Sequence, residues 1–345
     1  MTRILWIAWI VLIFATAATE SAQDSGLRLP ARLENYLRDS VGLTPEQRRQ
    51  LLAGEPITKL LDVDESKEVS VFGGVWINGS MRRYVDAVKD IENFERGGGF
   101  KITKRISEPP RLEDFGRLRL TDEDIVDLTR CRVGNCEVKL DEHALERFRT
   151  EVDWKAANAA DAANSLMRRL MLEYVTGYLE GGNERLAIYR DNERPTSVAQ
   201  EFRSMVDEMP ELTTYMLDVR RYLLQYPKVQ LPNATSFLYW QETEFGLKPT
   251  IRISHLTIHE SAGDIVVTSK MLYASHYFWT GLELRTLIRD PGRKSGFWFV
   301  TVNRSRSDGL SGLTGTLLGR RIRSSVQDGA LTALRSTKQL IERSR

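Results

Sequence analysis

Two histidines, His255 and His259, stand four apart in HLTIH. On a helix that spacing places both rings on one face, where they can share a zinc ion. Here the neighbours Ile251, Ile253, Thr257 and Ile258 favour a strand. Four strand steps separate the rings by about 13 Å, too far for one metal. Glu242 and Glu244 in YWQETEF alternate on a strand with Trp240 beside them. Carboxylates about 6–7 Å apart flank the scissile bond in some glycosidases, and an indole stacks on sugars. The same alternation also marks an ordinary solvent face. Gly309-Leu310-Ser311-Gly312 lacks the last glycine of the nucleophile elbow, because Leu313 occupies it. No Walker lysine accompanies those glycines, and no motif calls for a cofactor or resident metal.

Cys131 and Cys136, in CRVGNC, are the two cysteines of the chain. A close pair in an oxidising compartment is expected to form a disulfide, with Gly134-Asn135 supplying the turn. Such a short loop contributes about 2 kcal/mol in the chain-entropy estimate. Neither the C-x-x-C redox spacing nor a complete set of zinc ligands is present.

Aromatic side chains crowd the later part of the chain. Tyr239, Trp240, Tyr273, Tyr277, Phe278, Trp279, Phe297, Trp298 and Phe299 all fall on expected strands. Alternation sends some to each face, and one face must pack on helices as ordinary core. The other reading is an apolar pocket with a few polar groups for orientation. Its expected ligand-binding residues are Tyr239, Trp240, His276, Tyr277, Trp279, Trp298 and Arg304.

The compartment is read from the N-terminus. Arg3 is followed by an uncharged apolar run, Ile4–Ala18, and then by small residues. This is the pattern of a signal peptide over residues 1–22, with Ala15-Thr16-Ala17 fitting the cleavage rule. The run is shorter than the roughly 20 residues of a spanning helix, so no membrane anchor is expected after cleavage. The mature chain is expected to be exported, periplasmic or secreted. The formal net charge is +2, which offers no basic excess for nucleic acid.

The elements that position these residues follow from periodicity. Leu27 to Leu61 reads as helical, with Thr44 capping a helix that has Pro45 first and Gln47 three residues on. DVDESKE, residues 62–68, reads as a charged linker. Val69 to Ile77 alternates as a strand, Tyr84, Val88, Ile91 and Phe94 recur at helical spacing, and Phe100 to Ile106 is a second strand. Residues 110–227 are largely helical. Five strands follow at 236–245, 250–259, 264–273, 278–288 and 296–305, in the manner of an antiparallel meander. A long amphipathic helix closes the chain from about 312 to 343, with Leu318, Ile322, Val326, Ala330 and Leu334 at four-residue intervals.

The order strand, helix, strand, five strands, long helix resembles the helix-grip fold of START-type, polyketide-cyclase-like lipid-binding proteins. The residues that carry it are EVSVFGGVWINGSMRRYVDAVKDIENFE, SKMLYASHYFWTGLELRTLI and SGFWFVTVNRSRSDGLSG. The resemblance implies an α+β fold with a curved antiparallel sheet around the last helix and a cavity between them for lipids or other apolar molecules. It departs from the family in having one helix where two short ones follow the first strand, and in a large helical insertion. The expected organisation is a leader, 1–22; an N-terminal helical segment, 23–66; a helix-grip-like domain from 67–108 and 228–345; and a helical insertion, 109–227. The leading functional expectation is an exported soluble, non-catalytic binding protein for an apolar or amphipathic small molecule. The competing classes are an extracytoplasmic hydrolase using Glu242 and Glu244, and an interaction protein using the helical insertion.

Overall fold

The computed structural model describes residues 28–244, 248–308, 310 and 312–343. The expected leader, 1–22, lies outside the described residues. In chain order the helices and strands are α1 (Ala31–Tyr36), α2 (Pro45–Leu52), β1 (Ile57–Leu60), β2 (Glu68–Ile77), α3 (Met81–Lys89), α4 (Ile91–Phe94) and β3 (Phe100–Arg105). The helical stretch holds α5 (Asp122–Leu128), α6 (Glu142–Glu151), α7 (Ala159–Gly181), the short pair β4 (Ile188–Tyr189) and β5 (Thr196–Ser197), α8 (Val198–Asp207) and α9 (Leu217–Gln225). Then come β6 (Ala234–Thr243), β7 (Thr250–Ser261), β8 (Asp264–Ala274), β9 (Phe278–Ile288), β10 (Phe297–Ser307) and α10 (Gly312–Glu342).

Eight strands form one sheet in the order β1-β2-β10-β9-β8-β7-β6-β3, antiparallel at every pairing. The meander β6–β10 supplies its centre, and the two early strands lie outside it: β2 joins β10, and β3 joins β6. Local chemistry fixes the tight places. The β7–β8 hairpin turns through Ala262 and Gly263, both at positive φ (52° and 89°), the backbone a two-residue hairpin requires. Gly296, entering β10 at φ 92°, has no room for a side chain; a Cβ there would stand 2.6 Å from the Ile77 carbonyl oxygen. Register shifts at Phe100/Ile102, Ile253/Ser254 and Arg306/Ser307 bend the strands, as bulges do.

Helices cover the sheet on both faces, so every residue of β2 is buried. On one face α3, α4 and α10 pack over Val75, Ile77, Leu256, Ile258, Val267, Leu287, Phe297 and Phe299. On the other face the remaining helices make two clusters. One joins α5–α7 to Leu238, Trp240, Ile251, Ile253 and Leu272. The second joins α1, α2, α8 and α9 to Phe72, Trp76, Leu282, Leu284, Trp298 and Val302. The chain therefore has the α+β helix-grip architecture, with a further helical layer behind the sheet.

The long last helix has 31 residues, about 46 Å of length, and it runs along β2 and β1. Leu334, 1% exposed, seats on Gly73, where an added Cβ would come within 3.0 Å of its Cδ1. Ile341 is also buried, Lys338 donates to the Trp76 carbonyl at 2.5 Å, and Glu342 accepts from Asn78 N–H at 2.8 Å. Of the four-residue stripe, Ile322, Val326 and Ala330 are half-buried, and the side chain of Leu318 lies outside the described residues. A helix turns 3.6 residues per cycle, so a strict four-residue series drifts off the contact line, which continues through Leu334 to Ile341.

Two expected elements need correction. Residues 27–61 are not all helical: after Pro56 the chain becomes β1, pairing Ile57–Leu60 with Gly74–Val71. The open edge of β2 recruits this segment, a tertiary effect that outweighs local pattern. The single helix expected from 81 to 94 is two, α3 and α4, broken at Asp90, whose φ −91° and ψ 60° are not helical. Two short helices after the first long strand are what the helix-grip resemblance implies. The Thr44 cap and its Gln47 partner form the expected box, each accepting the other's N–H at 3.1 Å.

Cys131 and Cys136 form a disulfide. Thiol titration of the oxidised protein should find no free thiol, and two titratable thiols would contradict the bond. Leu334→Ala should cost about 2–5 kcal/mol, the usual range for emptying a core leucine site. Urea unfolding reads this directly; a loss under 1 kcal/mol would mean that α10 does not depend on that contact.

Candidate functional site

The residues singled out from the sequence do not converge on one place. Tyr239 is buried on the face that carries α10, its hydroxyl 2.7 Å from Ser269 Oγ. Trp240 is one step along the strand and so points to the opposite face, stacked with Phe115 and donating to the Asp114 carbonyl at 2.8 Å. Trp298 also lies on that opposite face, in the other cluster; its Nε1 donates to Asp290 at 2.9 Å, and Trp76 meets it edge-on at 4.9 Å. His276 stands at the end of the sheet, between Asp124 Oδ1 (3.1 Å) and the Glu137 carbonyl (3.0 Å). Tyr277, with φ 59°, accepts the Lys248 N–H at 2.9 Å. Trp279 is half-buried.

Arg304 belongs to an ion-pair knot. Glu68, fully buried, accepts from Arg304 Nε at 2.7 Å and from Arg306 Nε. Arg304 reaches Glu208 at 2.7 Å, and Arg306 reaches Glu201 at 3.0 Å and Glu208 at 3.1 Å. The knot clamps α8 to β2 and β10. Its guanidinium donors are spent on protein carboxylates, so Arg304 is committed to holding the layers together.

Glu244 is exposed beyond the end of β6 and bonds Lys101 at 2.6 Å, while Glu242 is half-buried. His259 bonds the Pro232 carbonyl at 2.8 Å and His255 the Tyr178 hydroxyl at 2.9 Å. Among the described residues no three side chains of metal-ligand type come together. An open depression of about 570 Å³ beside α5 is lined by Asp122, Glu123, Asp127, Glu137, Val126 and Lys248. Its lysine already pairs with Asp127 at 2.7 Å.

A polar group that the sequence reading missed lies on the α10 face. Arg285 of β9 is 6% exposed. Its Nε and Nη2 bond Glu283 at 2.7 and 2.5 Å, and Nη2 bonds Glu95 at 3.0 Å. Burial alone would lower the guanidinium pKa, but Glu283, Tyr84 and Glu95 outweigh it and hold it well above the ordinary value. The other Glu95 oxygen accepts from Gln241 at 2.6 Å, and Gln241 also bonds Thr103 at 3.2 Å. Some buried atoms of this group lack a well-formed hydrogen bond: Gln241 Oε1, Arg252 Nε, and Arg285 Nη1 and the Tyr84 hydroxyl, although the Tyr84 hydroxyl and the Arg285 guanidinium stand close enough to interact with each other. Burial raises the Tyr84 pKa, with Arg285 pulling the other way. These atoms lie among Val85, Leu256, Val267, Leu287 and Phe299. In the register Asn303 stands opposite Glu283 and is exposed, so the polar strip reaches solvent. The available signal was GLELRTLI, in which Glu283 and Arg285 share a strand face otherwise flanked by leucines. Nothing in the sequence tied Glu95 or Gln241 to it.

No protein-family model matches the chain, and no curated protein is matched. A solved structure that it resembles is the STAR-related lipid transfer protein (fragment 25–204) from Xanthomonas axonopodis. The two are 10% identical with a TM-score of 0.37, over 82% of this chain and 93% of that one.

The buried knot makes a sharp prediction about stability. Glu68→Ala leaves two arginines without their central acid and should cost about 3–5 kcal/mol. The triple replacement Glu68→Met, Arg304→Met, Arg306→Leu removes all three charges and should come within about 2 kcal/mol of the parent. Equal losses from the single and triple replacements, measured by urea unfolding, would show that packing rather than charge pairing decides the site.

Proposed function

We propose that the mature chain is an exported, non-catalytic binding protein for an amphipathic small molecule held on the α10 face. The observation that carries this reading is the set of buried polar atoms around Arg285 that lack a well-formed hydrogen bond in an otherwise apolar layer. Leaving a buried donor or acceptor unpaired costs about 1–3 kcal/mol. A ligand whose polar end meets Arg285 Nη1, Tyr84 OH and Gln241 Oε1 recovers that cost while its apolar part lies among the aliphatic and aromatic side chains. Binding sites of this kind are apolar with a few placed polar groups. Tyr239, a member of the sequence-derived ligand set on this face, contributes its ring beside the polar group. The apolar leader and the disulfide support an oxidising, extracytoplasmic location.

The test is mass spectrometry of organic-extractable molecules that co-purify with the mature protein, with displacement of a fluorescent fatty-acid probe. Wild type should bind the probe; Tyr84→Phe should weaken binding about fivefold to tenfold, the value of one hydrogen bond, and Arg285→Met should weaken it more. Absence of both a co-purified molecule and probe binding would overturn the reading. N-terminal sequencing of the exported protein should begin between Ala18 and Gln23, and membrane-bound protein starting at Met1 would contradict processing.

A further inference from the structure

Behind the sheet, on the face away from the amphipathic-ligand site, two bases are buried side by side with no acid. Lys270 of β8 is 1% exposed and His255 of β7 is 4% exposed. They are cross-strand partners in the register. Among the described residues, no Asp or Glu lies within ion-pair distance of either one. What surrounds the lysine is a cage of neutral groups. Its amine bonds the Asn183 side-chain oxygen, lies 4.5 Å from the centre of the Phe202 ring and 5.1 Å from that of Tyr178, and reaches the Tyr178 hydroxyl at 3.5 Å.

The hydrogen bonds link the two bases through one hydroxyl. The lysine donates to Tyr178 OH, so that hydroxyl donates onward to His255 Nδ1 at 2.9 Å. A neutral imidazole with Nδ1 accepting completes this chain of donors. A protonated His255 would reverse that bond, with the Tyr178 oxygen accepting from Nδ1–H, and would place a second cation beside Lys270. The rings of Tyr222 and Tyr226 close over the histidine at 6.4 and 4.7 Å, and Tyr222 bonds Thr257 at 3.2 Å. Asn183 ties the cage to its cover, donating to the carbonyls of Leu223 and Leu224 at 2.9 and 3.0 Å. On the sheet, Arg304 lies beyond Leu282 in the register and is engaged with Glu68 and Glu208; on the cover, Glu184 beside Asn183 pairs with Lys228, and Glu108 acts on Tyr226.

We propose that the C-terminal end of α7, the Gly182–Arg185 turn and α9 form an acid-released cover, which lifts from the sheet when the two carboxylate-free bases beneath it, Lys270 and His255, take up protons. Burial alone pushes Lys270 down to about 7. Burial and then the neighbouring lysine push His255 down to about 3. The lifted state, with both groups in water, regains their ordinary values of 10.5 and 6.5. A base with a depressed pKa favours the closed state above its ordinary value and loses that contribution as pH falls towards the depressed one. The closed cover therefore loses stability from pH 10.5 down to about 7 through Lys270, and from 6.5 down to about 3 through His255. Within either window each pH unit raises the lifted fraction up to about tenfold. α8 stays behind, because Glu201 and Glu208 hold it to Arg306 at 3.0 and 3.1 Å.

Amide hydrogen exchange of the full mature protein, corrected for the intrinsic rate at each pH, tests this between pH 8.5 and pH 5. In wild type, peptides covering 172–186 and 217–226 should lose protection about a hundredfold or more over that range, while 278–307 keeps theirs. Lys270→Met should abolish the loss above pH 6.5 and leave only the lower arm. His255→Phe should leave only the upper arm, with a plateau below pH 7. A flat wild-type profile, the same profile in Lys270→Met, or loss of protection shared equally by 278–307 would each overturn the proposal. The wild-type measurement decides the matter even where a variant does not fold.

Discussion

Glu68 has no exposed surface, and burying a charged side chain without partners would carry a large desolvation cost. It is held by two arginines two residues apart on β10, Arg304 and Arg306, which in turn reach Glu201 and Glu208 around α8. Much of the molecule follows from that arrangement. β2 must lie against β10 for the charges to meet, although about 220 residues of sequence come between them (Glu68 to Arg304, 236 positions apart). α8 must lie flat on the sheet, and with it the rest of the helical insertion. A buried network of this kind adds little net stability over a well-packed apolar core, but breaking part of it is costly. Its effect is to make other packings of the layers expensive.

The two faces of the sheet put buried polarity to different uses. On the face with α3, α4 and α10, Arg285 and Glu95 are paired, yet Nη1 of Arg285, Oε1 of Gln241 and the Tyr84 hydroxyl lack well-formed hydrogen bonds. On the insertion face, Lys270 and His255 are solvated by amide, hydroxyl and aromatic groups and have no counter-charge. The first arrangement accommodates a polar group brought from outside. The second accommodates neutral bases and resists protons. Neither is explained by the stability of the fold alone, since apolar side chains at both places would avoid the desolvation cost.

Much of the framework was legible beforehand because it rests on short-range periodicity. Period-two runs marked β6 to β10 within about two residues, and the long final helix announced itself by its apolar spacing. The Thr44–Gln47 cap needs only neighbours, and so does the turn that closes Cys131 onto Cys136. The misses share a different cause. β1 forms because β2 has an edge to pair, and the break at Asp90 is set by how α3 and α4 pack. Glu68 read as the end of a charged run, DVDESKE, because nothing local distinguishes a carboxylate bound for the core from one in solvent.

From the sequence alone came the α+β class, the strand order along the chain, the helix-grip pattern and the cysteine pair, since alternation, capping and turn chemistry act over a few residues. Only the tertiary structure decided which face each aromatic occupies relative to its distant neighbours, separating Tyr239 from Trp240 and Trp298. Only it brought Glu95 to Arg285, 190 positions away, and closed Tyr178 and Asn183 over Lys270. The reason is physical: a side chain's chemistry depends on its burial and on its partners, and in this chain those partners come from segments that meet only when the helical layer folds back onto the sheet.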